Sequence, residues 1–199
     1  MSKIRVASLT GEEAAQRVPE LARLRIAVFR EFPYLYDGSL DYEERYLRTY
    51  LESRDAVIVA ALDGDAIVGA ATALPLEDET EEVIAPFAAQ GRDVPAIFYF
   101  GESVLLRPYR GQGIGVAFFD RREAHARALG RFRWTCFCAV DRPADHPRRP
   151  PDYVPLDAFW ERRGYRRVPG LETSFSWKDL DEENESPKRM LFWMKELER

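Results

Sequence analysis

The stretch Val104-Leu105-Leu106-Arg107-Pro108-Tyr109-Arg110-Gly111-Gln112-Gly113-Ile114-Gly115 runs from an apolar strand-like segment through alternate glycines into Val116 to Ala124, whose composition favours a helix. Glycines at alternate positions let consecutive peptide N–H groups turn toward one point, because no Cβ blocks the required φ values or the approach of a ligand. The unpaired N–H groups and positive dipole end of the helix's first turn add to the same focus. Arg110 places a fixed cation beside it. The stretch therefore predicts strand, anion cradle and helix in succession, and suits a pyrophosphate. A plain strand-to-helix turn that happens to contain glycines is the competing reading.

Spacing narrows the ligand. A dinucleotide fingerprint needs Gly-x-Gly-x-x-Gly, but here the third glycine comes one residue early and Val116 takes its place. About twenty positions on, where that motif carries an acidic residue, Arg131 to Arg133 lie instead. No Gly-Lys-Ser or Gly-Lys-Thr closes the run, which excludes a P-loop. Arg110, Gly113 and Gly115 resemble the acyl-CoA loop of the GNAT superfamily of N-acetyltransferases. That resemblance implies acetyl-CoA as cofactor, held by Val104, Leu105, Leu106, Arg110, Gly111, Gln112, Gly113, Ile114, Gly115 and Val116.

The 199 residues fit one domain, residues 1–199, with length enough to bury a core. A net charge of −5 indicates neither a nucleic-acid surface nor a basic membrane-binding face, and it suits a neutral or cationic acceptor. No signal peptide or membrane-spanning run stands out, so a cytoplasmic protein is expected. Cys136 and Cys138 are two apart in an apolar strand, on one face, as reduced core thiols rather than a disulfide pair. No metal site is expected from them with His125 and His146, since the Cys-x-x-Cys spacing is missing.

Along the chain, Lys3 to Leu9 alternates as a strand, and Thr10-Gly11-Glu12-Glu13 offers a capping box for a helix that Pro19 is expected to break or restart. Val18, Leu21, Leu24 and Val28 form an apolar stripe ending near Phe32-Pro33. A second helix is expected at about Leu40 to Glu52. Strands follow at Ala56 to Leu62 and Ala66 to Leu74, joined by the hairpin turn Asp63-Gly64-Asp65. Residues 77–95 read as an insertion, mildly helical around Val83 to Ala89. Ile97 to Leu106 is a strand feeding the glycine loop, and its helix ends at Gly130. Arg133 to Val140 then implies a parallel crossover. Residues 141–155, with five prolines, read as a loop. A short helix Leu156 to Arg163 and two strands, Thr173 to Trp177 and Arg189 to Leu197, complete the order. The last two strands offer a route to a homodimer.

This order is similar to that of the GNAT superfamily over nearly the whole chain. The resemblance implies an α/β (α+β) domain: a central mixed β-sheet flanked by helices, with the cofactor between the splayed fourth and fifth strands. Gly164-Tyr165 fits the family's late helix, whereas Trp160 stands where a tyrosine is usual. The activity implied is transfer of an acetyl group from acetyl-CoA to a primary amine of a small molecule or peptide. A non-catalytic or regulatory acyl-CoA-binding module is the alternative, motivated by Trp160, and a nucleotide or phosphosugar binder is a third.

An aliphatic ammonium, with a pKa of about 10.4, must lose a proton before attacking a thioester. Glu102, a carboxylate within the apolar run Phe98 to Leu105, is the candidate general base; the other reading is a structural carboxylate bonded to backbone or to an arginine of a neighbouring helix. Gly101 allows a bulge there, which leaves the facing of Glu102 open. The resemblance implies an oxyanion donor in the backbone N–H of the fourth strand at Leu105. Tyr153 and Tyr165 are candidate general acids, because an indole at Trp160 is too weak an acid. Tyr34 and Tyr36 are candidate walls for the amine, with Asp37 or Asp41 pairing its charge; a hydrophobic plug between two helices is the alternative. His125 reads as a hydrogen-bonded core histidine, Arg121 on the same face has no evident role, and Arg142 to Arg149 and His146 read as a solvated loop, with contact of that arginine run to the cofactor's 3′-phosphate as the alternative.

Overall fold

The computed structural model describes residues 4–198. It contains β1 (Arg5–Leu9), α1 (Gly11–Phe29), α2 (Leu40–Glu52), β2 (Val57–Asp63), β3 (Ala66–Pro75), α3 (Glu81–Ala89), β4 (Ile97–Leu105), α4 (Ile114–Leu129), β5 (Trp134–Val140), α5 (Asp157–Arg162), β6 (Arg166–Trp177) and β7 (Ser186–Glu196). The strands form one mixed sheet in the order β1-β2-β3-β4-β5-β7-β6. Among the described residues only β4 and β5 pair in parallel, as the expected strand–helix–strand crossover requires. Every other adjacent pair is antiparallel. Lys3 lies outside the described residues.

The sheet buries both faces. Leu21, Leu24, Leu47, Leu74, Phe87, Tyr99, Cys136, Cys138 and Phe192 pack on one side with α1, α2 and α3. Val59, Phe98, Phe100, Phe118, Phe119, Phe137 and Tyr165 fill the other with α4 and α5. Both cysteines are free, buried and on one face, as their spacing implied.

Thr10 caps α1 in a reciprocal box, with the Glu13 N–H donating to Thr10 Oγ1 at 3.2 Å and the Thr10 N–H to Glu13 Oε2 at 2.8 Å. Pro19 does not break the helix, contrary to expectation; α1 runs through it to Phe29. An interior proline costs about 3 kcal/mol. Ala14 on one side of it and Leu21, Ala22 and Leu24 on the other all pack into the core, and that burial holds both halves in line.

The segment 77–95, between β3 and β4, packs on the core: Val83 and Phe87 of α3 are fully buried and Phe87 meets Phe192 edge-on at 4.7 Å. The last two strands pair with each other within the chain, and β7 is bonded to β5. β6 starts seven residues earlier than the sequence pattern suggested, at Arg166 rather than Thr173. A register shift between Arg167 and Glu172 interrupts it, with Gly170 left-handed, and this hides the alternation.

Candidate active site

Strands β4 and β5 pair at Ile97↔Trp134, Phe98↔Thr135 and Tyr99↔Cys136 and then part. Beyond that point β4 stays bonded to β3 as far as Leu105, and β5 to β7 as far as Val140. A gap therefore opens between them toward their C-terminal ends, where ligands enter sheets of this kind. The Leu106 N–H donates to Val68 O of β3 at 3.0 Å, so strand alternation turns the N–H and C=O of Leu105 the other way, into the gap. Arg110 Nε donates to that carbonyl at 3.0 Å.

The glycine loop closes the open end. Gly111 and Gly113 have φ of +76° and +81°, and a Cβ at either would meet nothing within 4 Å. These glycines are needed for backbone conformation and for open space, not for internal packing. Gly113 is the N-cap of α4 and supplies no side-chain cap, so the first-turn N–H groups of Ile114, Gly115 and Val116 face outward from the helix end. Ala117 is the first to bond back, to Gly113 O at 3.1 Å. Gly115 has a different role, lying against the Phe159 ring of α5. Gln112 Nε2 ties the loop by donating to Pro108 O at 3.1 Å, and Ile114 is buried. Arg110 Nη1 reaches Glu31 at 2.9 Å, which joins the cradle to the end of α1. Val104 buries its side chain and offers only backbone, while Leu105 and Leu106 are half-buried.

A bulge decides what faces the acceptor side. Ala71 pairs with Ser103 and Ala73 with Phe100, so Gly101 and Glu102 together oppose Thr72. Gly101 is required there, because a Cβ would overlap the Tyr50 hydroxyl. The extra residue turns Glu102 away from α4, the side that Phe98 and Phe100 face, and toward α1 and α2. Arg122 of α4, fully buried, gathers the carbonyls that the bulge displaces: Nη1 donates to Thr72 O (3.2 Å) and Glu102 O (3.0 Å), and Nη2 to Ser103 Oγ (2.8 Å). Burial lowers its pKa to about 10, which leaves it charged at neutral pH.

Glu102 has the arginine partner from a neighbouring helix that one of its two readings supposed. Arg25 of α1 lies 2.6 Å from Oε1, and the Tyr46 hydroxyl donates to Oε2 at 3.1 Å. Arg25 also bonds the buried Glu43. Burial works against the charge on Arg25, but Glu102, Tyr46 and Glu43 outweigh it and raise its pKa well above the usual value. From Tyr46 the bonding continues to the Tyr50 hydroxyl at 2.8 Å, and Tyr50 donates to Glu79 Oε1 at 3.2 Å. Glu79 makes no ion pair among the described residues, and burial raises its pKa to about 7.

Sequence reasoning missed Arg25, Glu43, Tyr46, Tyr50, Glu79 and Arg122. The face of α2 turned to the site is Glu43, Tyr46, Leu47 and Tyr50, at helical spacing, but polar atoms in a buried stripe dilute the apolar signal. Glu79 carried no signal in an acidic segment.

Tyr34 is half-buried between Phe29 and Trp177, with ring centroids at 4.7 and 5.9 Å; its pKa is raised by burial and then by Cys138, Tyr153 and Glu102. Tyr36 stacks edge-on to Tyr42 at 6.4 Å. Asp37 pairs with Lys178 at 2.8 Å and Arg30 at 3.3 Å, all three side chains partly exposed. Tyr153 meets Phe32 edge-on at 4.7 Å. Tyr165 is fully buried and bonded to Thr135 (2.9 Å) and Glu123 (3.1 Å), so it does not reach a leaving group. Trp160 packs between Phe137 and Trp193 at 5.1 Å from each.

Arg142 is not solvated. It donates to Pro33 O and Tyr34 O at 2.7 Å each and grips the buried Asp179 through both terminal nitrogens at 2.8 and 2.9 Å. Nor is His146 free in solvent, since its ring lies 5.7 Å from that of Phe32. His125 Nε2 is 2.9 Å from Asp55 O, as a hydrogen-bonded core histidine. Arg121 reaches Val6 O of β1 at 3.4 Å. Among the described residues no group of three or more His, Cys, Asp or Glu is arranged to hold a metal ion, and no helix is long and apolar enough to cross a membrane.

Solved structures share this architecture. The ribosomal-protein-alanine N-acetyltransferase of Brucella melitensis aligns over 97% of this chain and 99% of its own, with a TM-score of 0.62 and 13% identity. A GNAT-family acetyltransferase from Staphylococcus aureus Mu50 aligns over 98% and 100%, with 0.60 and 13%. The aminoglycoside 6′-acetyltransferase type Ii aligns over 98% of each chain, with 0.60 and 15%. At these identities the likeness concerns the fold. No curated protein matches the chain. The profile of the Acetyltransferase (GNAT) family matches residues 21–149, from the middle of α1 through the glycine loop and β5, and the chain belongs to that family.

Proposed function

We propose that this protein transfers the acetyl group of acetyl-CoA directly to a primary amine of a small molecule or peptide. The observation that carries this reading is the gap between β4 and β5 ending on an uncapped, glycine-built helix N-terminus. In this reading the pyrophosphate rests on Arg110, Gly111, Gln112, Gly113, Ile114, Gly115 and Val116. The pantetheine arm follows the free edge of β4 at Val104, Leu105 and Leu106. It completes the sheet as a strand would, and the Leu105 N–H serves the thioester oxyanion. The amine enters from the side of α1 and α2, past Tyr34 and Tyr36, whose rings suit a cation, with Asp37 beside them. One amine proton leaves before attack, and the second departs with the thiolate, so that no side-chain acid is needed at Trp160 or Tyr153.

Calorimetry with acetyl-CoA and thiol release against a panel of monoamines, polyamines, amino sugars and peptide N-termini tests the proposal. Binding with release for at least one amine is expected. The packing of Trp160 in an aromatic cluster, where the family often has a tyrosine, favours the binding-module reading. That reading predicts acetyl-CoA binding with no release across the panel. Stabilisation by a nucleotide but not by CoA would overturn both.

A further inference from the structure

We propose that Glu79 is the acceptor of the proton an incoming ammonium must lose, reached through the hydroxyls of Tyr46 and Tyr50; this rests on the amine-transfer reading above. The bonding is continuous: Tyr46 to Tyr50 at 2.8 Å, and Tyr50 to Glu79 Oε1 at 3.2 Å. Its near end is at the bulge of β4, where Tyr46 also touches Glu102, on the side from which the amine comes. Its far end is anchored by the Thr80 N–H, which donates to Glu79 Oε2 at 3.1 Å, in a turn pinned by the fully buried Leu76.

The two carboxylates differ in their counterions. Both oxygens of Glu102 are already taken, Oε1 by Arg25 at 2.6 Å and Oε2 by the Tyr46 hydroxyl at 3.1 Å. Around Glu79 stand Tyr46 and Tyr50 from α2, Tyr99 and Glu102 from β4, Cys136 and Cys138 from β5, and Arg25 from α1. Arg25 is the one cation in that set, and it is bonded to Glu43 and Glu102. Glu79 is thus the carboxylate of the cluster with room for a proton. Burial brings its pKa to about 7, within the range useful for accepting one at neutral pH.

The transfer balances. The Tyr46 hydroxyl first turns its one proton from Glu102 to the Tyr50 oxygen, 2.8 Å away; the ammonium then gives a proton to the Tyr46 oxygen as Tyr46 passes its own to Tyr50 and Tyr50 passes its own to Glu79. Both tyrosines end neutral, Glu79 becomes a carboxylic acid, and the amine is free to attack. The C–N bond forms, the C–S bond breaks, and the remaining amine proton leaves on the CoA thiol. Glu79 then returns its proton to solvent.

The test is kcat/KM for the best amine against pH, alongside acetyl-CoA affinity, for wild type, Glu79→Gln, Tyr50→Phe and Tyr46→Phe. Wild type is expected to rise along a limb centred near pH 7. Glu79→Gln should lose that limb and fall by roughly a hundredfold, the usual reach of general-base catalysis, with cofactor affinity intact. The two phenylalanine variants should lower kcat with little change in KM, and Tyr50→Phe decides the case if Glu79→Gln loses its cofactor. Glu79→Gln with the wild-type rate and limb, or a limb that Glu102→Gln removes and Glu79→Gln keeps, overturns the relay alone. A wild type that binds acetyl-CoA but acetylates no amine overturns the transfer reading and the relay with it.

Discussion

Arg122 is the residue on which the geometry of the site depends most. A bulge opposes two residues to one and leaves carbonyls off the ladder, and buried carbonyls without partners are costly. Arg122 supplies donors to two of them and to Ser103, from between Phe100 and Phe119, whose ring centroids lie 4.2 and 5.0 Å from its Cζ. Arg122→Met should lower the unfolding free energy by about 2–4 kcal/mol through the acceptors left bare, and Arg122→Lys should recover only part, lacking the planar fork. Urea midpoints at constant m measure this; a loss within about 0.5 kcal/mol would refute the clamp. Glu79 gives a second prediction. Its folded pKa of about 7 lies above the reference 4.5, so its contribution to stability is full below that reference and is lost as pH rises through 7. Glu79→Gln should therefore melt higher than wild type at pH 8 and show little difference at pH 4; the opposite trend would mean that the carboxylate is not destabilised by burial. Neither role was legible in the sequence. A carboxylate in an apolar strand marked Glu102 as needing a partner, but nothing in the chain named Arg25, and Arg122 and Thr72 meet only through the fold.

At the scale of elements the sequence was far more informative. The capping box of α1, the extent of α2, the β2–β3 hairpin and the Gly130 stop of α4 follow local rules that tertiary packing did not override. The exceptions have physical causes. Burial on both sides of Pro19 outweighs its local cost, and the register shift in β6 erases the alternation that marks a strand. The glycine loop was legible because its chemistry is local: left-handed φ at Gly111 and Gly113, open space beside them, and a bare helix end. Gly113→Val should strain the loop by roughly 1–2 kcal/mol at its φ of +81° and put a side chain where the ligand would rest. Acetyl-CoA affinity should fall by about tenfold or more, while far-ultraviolet dichroism stays that of the wild type. Unchanged affinity in calorimetry would remove the pyrophosphate from this loop.

Across the whole molecule, the two walls of the cleft meet at the end of α1. The cradle is joined to it by Arg110 and Glu31. The acceptor wall follows it directly, and there Leu35 O accepts from the Leu180 N–H at 2.8 Å while the Asp37 N–H donates to Lys178 O at 2.9 Å. Arg142, at the end of β5, holds the Pro33 and Tyr34 carbonyls and Asp179 at once, and Lys188 of β7 lies 3.6 Å from Asp179 on the same buried knot. The position of Tyr34 and Tyr36 is therefore set from three separate parts of the chain, which is why the sequence pointed to the segment but not to its anchor. Arg142→Met leaves Asp179 with Lys188 as its only close cation among the described residues and frees two carbonyls, so stability should drop by roughly 3–5 kcal/mol, the usual penalty for breaking a buried pair. Amide exchange should quicken at Tyr34 to Asp37 and not in α4, and KM for the amine should rise while acetyl-CoA affinity holds. Equal losses for amine and cofactor would show that Arg142 supports the fold as a whole and not the acceptor wall.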